Sequence, residues 1–423
     1  MVVCKRYDAV VIGAGAAGMA AACEIASAGR TVAVLDREEH LGGILLQCIH
    51  NGFGLHHFKR ELTGPEYAEE YIAKVRSLPV DVYPDTTVVS VRPGPGAKAL
   101  TTYSARHGVT EFTAEAVVLA MGCRERNRGN IGIPGARPAG VFTAGLAQRL
   151  LNIDGWVPGK KVVIIGSGDI GMIMARRLTW VGCKVQCVVE ILPYPSGLTR
   201  NIVQCLQDNT IPLHLSHAVT RIVGHDRVEA VEVAPLVNGT PSPEKSFRVA
   251  CDTVLLSVGL IPENELTRKA GIALSPGTGG PVIDHTLQTS AEGVFACGNV
   301  LHVHDLVDSA SDEAVRCGRN VAAYLRKEAA PAGPVAPVTA GANLKYVVPN
   351  RCAAGQETLF QMRSLVVREQ ADLVVKQGAT IIKRQTLKHV RPAEMISLAL
   401  SATETGAIAG DVPVELSMEV SRE

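Results

Sequence analysis

Residues 8–36 read DAVVIGAGAAGMAAACEIASAGRTVAVLD, and this stretch decides the fold. Asp8 to Ile12 are apolar, β-branched and short, which predicts a buried strand. Gly13, Gly15 and Gly18 give G-x-G-x-x-G at its end. The Ala-rich run that follows predicts a helix stopped at Gly29, and Thr31 to Leu35 predict a second strand closed by Asp36. Each glycine has a mechanical use. Gly13 permits a tight turn, Gly15 admits a pyrophosphate against the backbone, and Gly18 lets helix and strand touch. The helix N-terminus offers free N–H groups to phosphate. Asp36, 18 positions after Gly18, is placed to accept adenosine ribose hydroxyls, and Arg37 beside it joins the cofactor-binding candidates.

The pattern recurs. Residues 159–190, GKKVVIIGSGDIGMIMARRLTWVGCKVQCVVE, place Gly166, Gly168 and Gly171 after a second apolar strand, with Glu190 19 positions beyond Gly171. Two complete units imply two dinucleotides. A carboxylate at 190 would repel a 2′-phosphate, which favours NAD over NADP. Each half also closes with a strand ending in glycine: EAVVLAMG at Gly122 and CDTVLLSVG at Gly259.

The whole chain sets bounds on function. Its 423 residues suffice for two or three domains. The 42 basic and 41 acidic residues nearly cancel, so charge favours neither nucleic acid nor a membrane surface. Aromatics at 4% argue against base-stacking platforms. The 11 cysteines form no C-x-x-C and no framework, which points to a reducing, cytoplasmic compartment. The apolar N-terminus contains the glycine turn and reads as fold and not as a signal peptide. No apolar run reaches membrane-spanning length.

Between the units lie the residues that invite chemistry. Gly42 and Gly43 form a close-approach turn, and residues 45–61, LLQCIHNGFGLHHFKRE, follow with Cys48 and His50. Two readings of this stretch stand: a polar pocket facing a cofactor's reactive ring, or a loop leading into the helix predicted over 65–76. Residues 293–325 predict a strand, a turn at Gly298-Asn299, and a helix from about 307. His302, His304, Asp305 and Asp308 crowd that turn. Their H-x-H-D-x-x-D spacing matches no standard zinc site, so no metal is expected there. His50, His302 and His304 are the proton-handling candidates, because histidine titrates near neutral pH. Beyond a Pro/Ala/Gly linker at 331–342, short alternating strands with a hairpin turn at Gln377-Gly378 predict a small β domain.

GAGAAG with Asp36, VVLAMG, GSGDIG with Glu190, LLSVG and GVFACGN, in that order, resemble the two-dinucleotide-binding flavoproteins. This is the pyridine nucleotide-disulfide oxidoreductase-like family, which includes glutathione reductase and ferredoxin-type reductases. The resemblance implies an α/β fold with two Rossmann-like, glutathione reductase-type domains, the second inserted in the first, plus the small C-terminal β domain. It implies FAD on residues 1–125 and 275–330, NAD(H) on 126–274, and a β-rich domain over 343–423. Gly13, Gly15, Gly18, Asp36, Arg37, Gly42, Gly43, Gly122, Gly298 and Asn299 would serve FAD; Gly166, Gly168, Gly171, Glu190 and Gly259 would serve NAD(H). GGILLQCIHNGFGLHHF, CGNVLHVHDLVD and KYVVPN are similar to a narrower group. Those are flavoprotein subunits found with glycerol-3-phosphate or amino-acid dehydrogenases, beside a small cysteine-rich, iron–sulfur type protein.

Two departures carry weight. Disulfide reductases of this family place C-x-x-x-x-C after the glycine pair, where this chain has Leu45 and His50. Dithiol–disulfide exchange needs two sulfurs, so the resemblance implies an electron relay without a disulfide. Cys48 leaves one alternative, a single-cysteine thiol, peroxide or oxygen reductase, beside a plain packing role. The family's usual Gly-Asp near the flavin's ribityl chain is Gly298-Asn299 here, which makes that environment less negative by one charge. The flavin reduction potential is therefore expected to be higher in the wild type than in Asn299→Asp, as read by spectroelectrochemical titration.

Overall fold

The computed structural model describes residues 3–328 and 333–420. The predicted opening strand runs Val3–Ile12 and lies at the centre of a seven-stranded sheet. It pairs in parallel with Val32–Leu35 on one side and Gly108–Leu119 on the other, Val10 meeting Ala33 and Val117. Ala9, Val10 and Val11 are fully buried because both faces of the sheet are covered. The short strand Val294–Ala296 adds in parallel beside Gly108–Leu119, Val80–Tyr83 adds in parallel beyond Val32–Leu35, and an antiparallel pair, Thr86–Arg92 and Lys98–Ser104, completes the sheet.

Helix Ala16–Ser27 is small-sided for a steric reason. A Cβ on Gly18 would lie 1.8 Å from the Gly13 carbonyl oxygen, and one on Gly318 would lie 2.6 Å from the Ala21 carbonyl oxygen. Gly318 belongs to helix Val307–Leu325, which therefore seats directly on the first helix's backbone. Helix Gly64–Ser77 begins with a capping box between Thr63 and Glu66.

The chain divides into two units: Met1–Cys123 with Pro262–Glu423, and Arg124–Ile261. The return crossing thus lies at 261/262 and not near the expected 274/275. The reason is Asn264, whose side chain donates to Gly279 O at 3.0 Å and Val300 O at 2.8 Å and ties its segment to the first unit.

The second unit repeats the plan. Its five-stranded parallel sheet runs Val141–Thr143, Thr253–Leu256, Lys161–Ile165, Lys184–Val189, Leu213–His214. An antiparallel excursion of His217–Gly224, Val228–Val237 and Phe247–Ala250 accompanies it.

The C-terminal residues form a five-stranded and a three-stranded sheet around a core that includes Phe360, Met362, Leu373, Val375 and Leu416. They belong to the first unit and not to a unit of their own. The predicted hairpin is present: Gln377 pairs with Thr380 across Gly378, whose φ is +57°. The expected linker at 331–342 is corrected. Val335–Ala340 is a strand, parallel to Val414–Glu419, with Ala336 and Val338 turned inward. Its Pro/Ala composition hid the alternation; residues 331 and 332 lie outside the described residues.

Gly318→Val is expected to push the two helices apart. The cost is about 1–3 kcal/mol of overpacking, read as a melting temperature lowered by roughly 1–5 °C.

Candidate functional site

Both glycine turns are built the same way. Gly13 has φ +105° and Gly166 φ +89°; a Cβ there would lie 2.4 Å from Ala120 O and 2.1 Å from Ser257 O. Those oxygens belong to the residues just past the glycine-closing strands, so the mirrored motifs read in the sequence meet their turns directly. A Cβ on Gly15 would meet nothing within 4 Å, and no side chain caps the helix that starts there. The helix N-terminus thus lacks a capping side chain and has room beside Gly15, a fit for a pyrophosphate.

The acids also correspond. Asp36 accepts the Ala14 N–H at 2.5 Å and the Glu38 N–H at 2.8 Å. Glu190 accepts the Ser167 N–H at 2.9 Å, the Ser167 hydroxyl at 2.6 Å and the Ser196 hydroxyl at 3.0 Å. Each carboxylate thus binds the middle residue of its own glycine turn. In the second unit Ser257 Oγ accepts the Gly171 N–H at 3.0 Å and Asp169 stands in the first helical turn, so that N-terminus is less bare than the first.

Within the first unit the turn residues converge. Gly42 donates to Ala14 O at 2.9 Å, a Cβ on Gly43 would lie 3.2 Å from Gly15 Cα, and one on Gly298 would lie 2.7 Å from Ala17 Cβ. Gly122 has φ +71° and an open Cβ side. Arg37 stands exposed, its Nε 3.8 Å from Glu38. In the second unit Gly166, Gly168, Gly171 and Glu190 gather at one end of the parallel sheet, and Gly259, at φ +99°, accepts the Arg126 N–H at 2.9 Å.

Residues 45–61 behave more as a docked loop than as an open pocket. A 3₁₀ turn, Gly43–Gln47, leads to Cys48, and the Gly64 N–H donates to the Cys48 carbonyl at 2.8 Å. The Cys48 thiol donates to Ile44 O at 3.3 Å, and burial pushes its pKa up to about 12. A thiol so placed is a poor nucleophile at neutral pH. His50 is half-buried, with Nδ1 3.0 Å from Asn51 O and its ring 5.0 Å from that of Phe53. The Gly54 and His57 N–H groups donate to Asp308, at 3.2 and 2.9 Å. Asp308 sits in the first turn of helix Val307–Leu325, so that helix end holds its own buried carboxylate.

The crowded turn at 298–308 separates into two groups. Asp305 pairs with Arg363 of the C-terminal strands and accepts the Met395 N–H at 2.7 Å; Arg363 also donates to Val303 O at 3.1 Å. His302 and His304 turn the other way, onto Glu313. His302 Nε2 lies 2.9 Å and His304 Nε2 3.5 Å from Glu313 Oε2, and Glu313 Oε1 accepts the Gly298 N–H at 2.7 Å. All three side chains are 0–1% exposed. Burial pushes the Glu313 carboxyl up, but His304 and His302 together pull it below the usual carboxylate range. Burial and then His304 push His302 down. Asn299 Oδ1 accepts the His304 N–H at 3.0 Å. Glu313 and Arg363 went unread in the sequence. The one signal for Glu313 was an acid on the apolar face of a helix.

Known proteins resemble this chain in sequence and in fold. A family model described as pyridine nucleotide-disulphide oxidoreductase matches residues 7–314. An opine oxidase subunit from Agrobacterium tumefaciens is 31% identical over 323 residues, 69% of this chain and 61% of that protein. The HcnB subunit of hydrogen cyanide synthase from Pseudomonas protegens is 27% identical over 286 residues, 62% of this chain and 58% of that protein. The chain thus spans about three-fifths of the length of these curated relatives. The crystal structure of T. acidophilum thioredoxin reductase superposes with TM-score 0.63 at 24% identity, over 76% of this chain and 99% of that one, a likeness of fold.

In native protein at pH 8, iodoacetamide is expected to modify exposed Cys4 well before Cys48, as peptide mass mapping over a time course will show.

Proposed function

The chain belongs to the pyridine nucleotide-disulphide oxidoreductase family, and from that membership we propose that it is an FAD-dependent oxidoreductase exchanging hydride with NAD(H), working as the electron-transfer subunit of a dehydrogenase complex. The observation that carries this reading is the doubled glycine turn with its matched acids, Asp36 and Glu190, in a chain without the cysteine pair at 45 and 50. FAD, when bound, supplies the two-electron chemistry. The chain's residues supply position and field. Gly13, Gly15 and Gly18 let N–H groups reach the pyrophosphate, Asp36 takes ribose hydroxyls, and Gly42, Gly43, Gly122, Gly298 and Asn299 border the flavin. Gly166, Gly168 and Gly171 do the same for NAD(H), with Glu190 on its adenosine ribose and Gly259 at the closing strand. His50 is the proton-handling group of this reading; His304, expected to share that role, is buried against Glu313 and Asn299.

The relatives named as subunits of opine oxidase and hydrogen cyanide synthase support a multi-component assembly. The partner in this reading is a glycerol-3-phosphate or amino-acid dehydrogenase subunit with a small iron–sulfur protein, in the cytoplasm. Among the described residues no helix is long and apolar enough to cross a membrane. The alternative, a thiol, peroxide or oxygen reductase using Cys48, is disfavoured by a thiol pKa of about 12.

Anaerobic mixing with NADH is expected to bleach the oxidised-flavin absorbance of the purified protein. Cys48→Ser should leave that rate within about twofold. Glu190→Ala should raise the KM for NADH by about tenfold, or about 1.4 kcal/mol, with the flavin spectrum unchanged. Colourless protein that takes up no FAD would overturn the reading. Loss of NADH reduction in Cys48→Ser would restore the thiol mechanism.

A further inference from the structure

We propose that His302, His304 and Glu313 form a zinc site inside the first unit. The residues sit at 302, 304 and 313, a spacing that pairs the two histidines of the turn with an acid from the helix behind it. One ligand atom from each lies within 4.8 Å of the other two.

Hydrogen-bond logic leaves a place for a cation. The backbone N–H of His304 donates to the side chain of Asn299, which fixes that atom as the amide oxygen. The same oxygen lies 3.3 Å from His304 Nδ1, so Nδ1 carries the proton and donates. His304 Nε2 then points a lone pair at the Glu313 carboxylate. This nitrogen is buried and has no hydrogen-bond partner. Nitrogen and carboxylate oxygen facing each other without a proton repel.

Distance separates a metal from a proton. An imidazolium would close on the carboxylate to about 2.8 Å. His304 Nε2 stays at 3.5 Å. Two ligands of a tetrahedral zinc, each about 2.0–2.1 Å from the ion, stand roughly 3.3 Å apart, between these two separations. The donor set of two imidazoles and one carboxylate suits zinc and disfavours magnesium or calcium, which take oxygen ligands. Outer contacts that orient metal ligands are in place for two of the three, while His302 Nδ1 has no hydrogen-bond partner. Asn299 holds His304 Nδ1, and the Gly298 N–H holds Glu313 Oε1 at 2.7 Å. The ion would bind the Gly298–His304 turn to helix Val307–Leu325, with its fourth position left to water. With every ligand covered, it would be taken up as the unit folds.

The test is elemental analysis of flavin-loaded wild-type protein, expressed with zinc in the medium and purified without chelator. About one zinc per chain is expected. Glu313→Gln keeps the Gly298 contact and offers His304 Nε2 an amide N–H, so it should fold and hold flavin while its zinc content falls about tenfold or more. Wild-type protein with less than about a tenth of a zinc per chain, or a folded variant that retains the full complement, overturns the site. Anomalous scattering above the zinc edge needs no variant. A peak about 2.1 Å from His304 Nε2 supports the proposal, and crystals of zinc-grown protein with no peak there overturn it.

Discussion

The first unit depends on a contact that leaves no room for a methyl group. Helix Ala16–Ser27 lies so close to the end of strand Val3–Ile12 that a Cβ at Gly18 would stand 1.8 Å from the Gly13 carbonyl oxygen. That approach brings the helix's bare N–H groups to the sheet edge, where Gly43 and the Gly298 turn also arrive. It also places the helix's outer backbone where Gly318 can rest on it, and so fixes helix Val307–Leu325. From that second helix come Asp308, which holds the 54–57 loop, and Glu313, which holds the two histidines. Small side chains here are the condition for the layers to stack at all.

Local features were legible in the sequence. Glycines that need positive φ, an acid closing a strand, and a two-residue hairpin at Gly378 are decided by a few neighbouring residues. Pairings across the fold were not. Asp305 meets Arg363, 58 positions away, and no period or spacing announces that partner. Glu313 lies nine positions past His304, and its inward face shows only once the helix is docked. Val335–Ala340 failed for another reason: Pro and Ala are common in linkers, and composition masked a two-residue alternation that tertiary pairing uses.

The Asp305–Arg363 pair changes the standing of the C-terminal strands. By sequence alone they were a small β domain with no assigned role. In the structure Arg363 grips Asp305 and Val303 O while Tyr346 lies 6.0 Å, ring to ring, from His302. Removing one partner of a largely buried ion pair costs about 3–5 kcal/mol, because the other charge is left stranded. The small domain is therefore part of the scaffold of the histidine turn.

The interruption of the first unit by residues 124–261 has a temporal side. A ribosome delivers the chain from its N-terminus, and domains fold as their residues emerge. All of Arg124–Ile261 is out before Val294–Ala296, the strand that extends the first sheet, has been made. The guest is whole while its host still lacks a strand and the long helix that covers it. The small-residue face of Ala16–Ser27 must therefore wait, through roughly 280 further residues, for the partner that buries it.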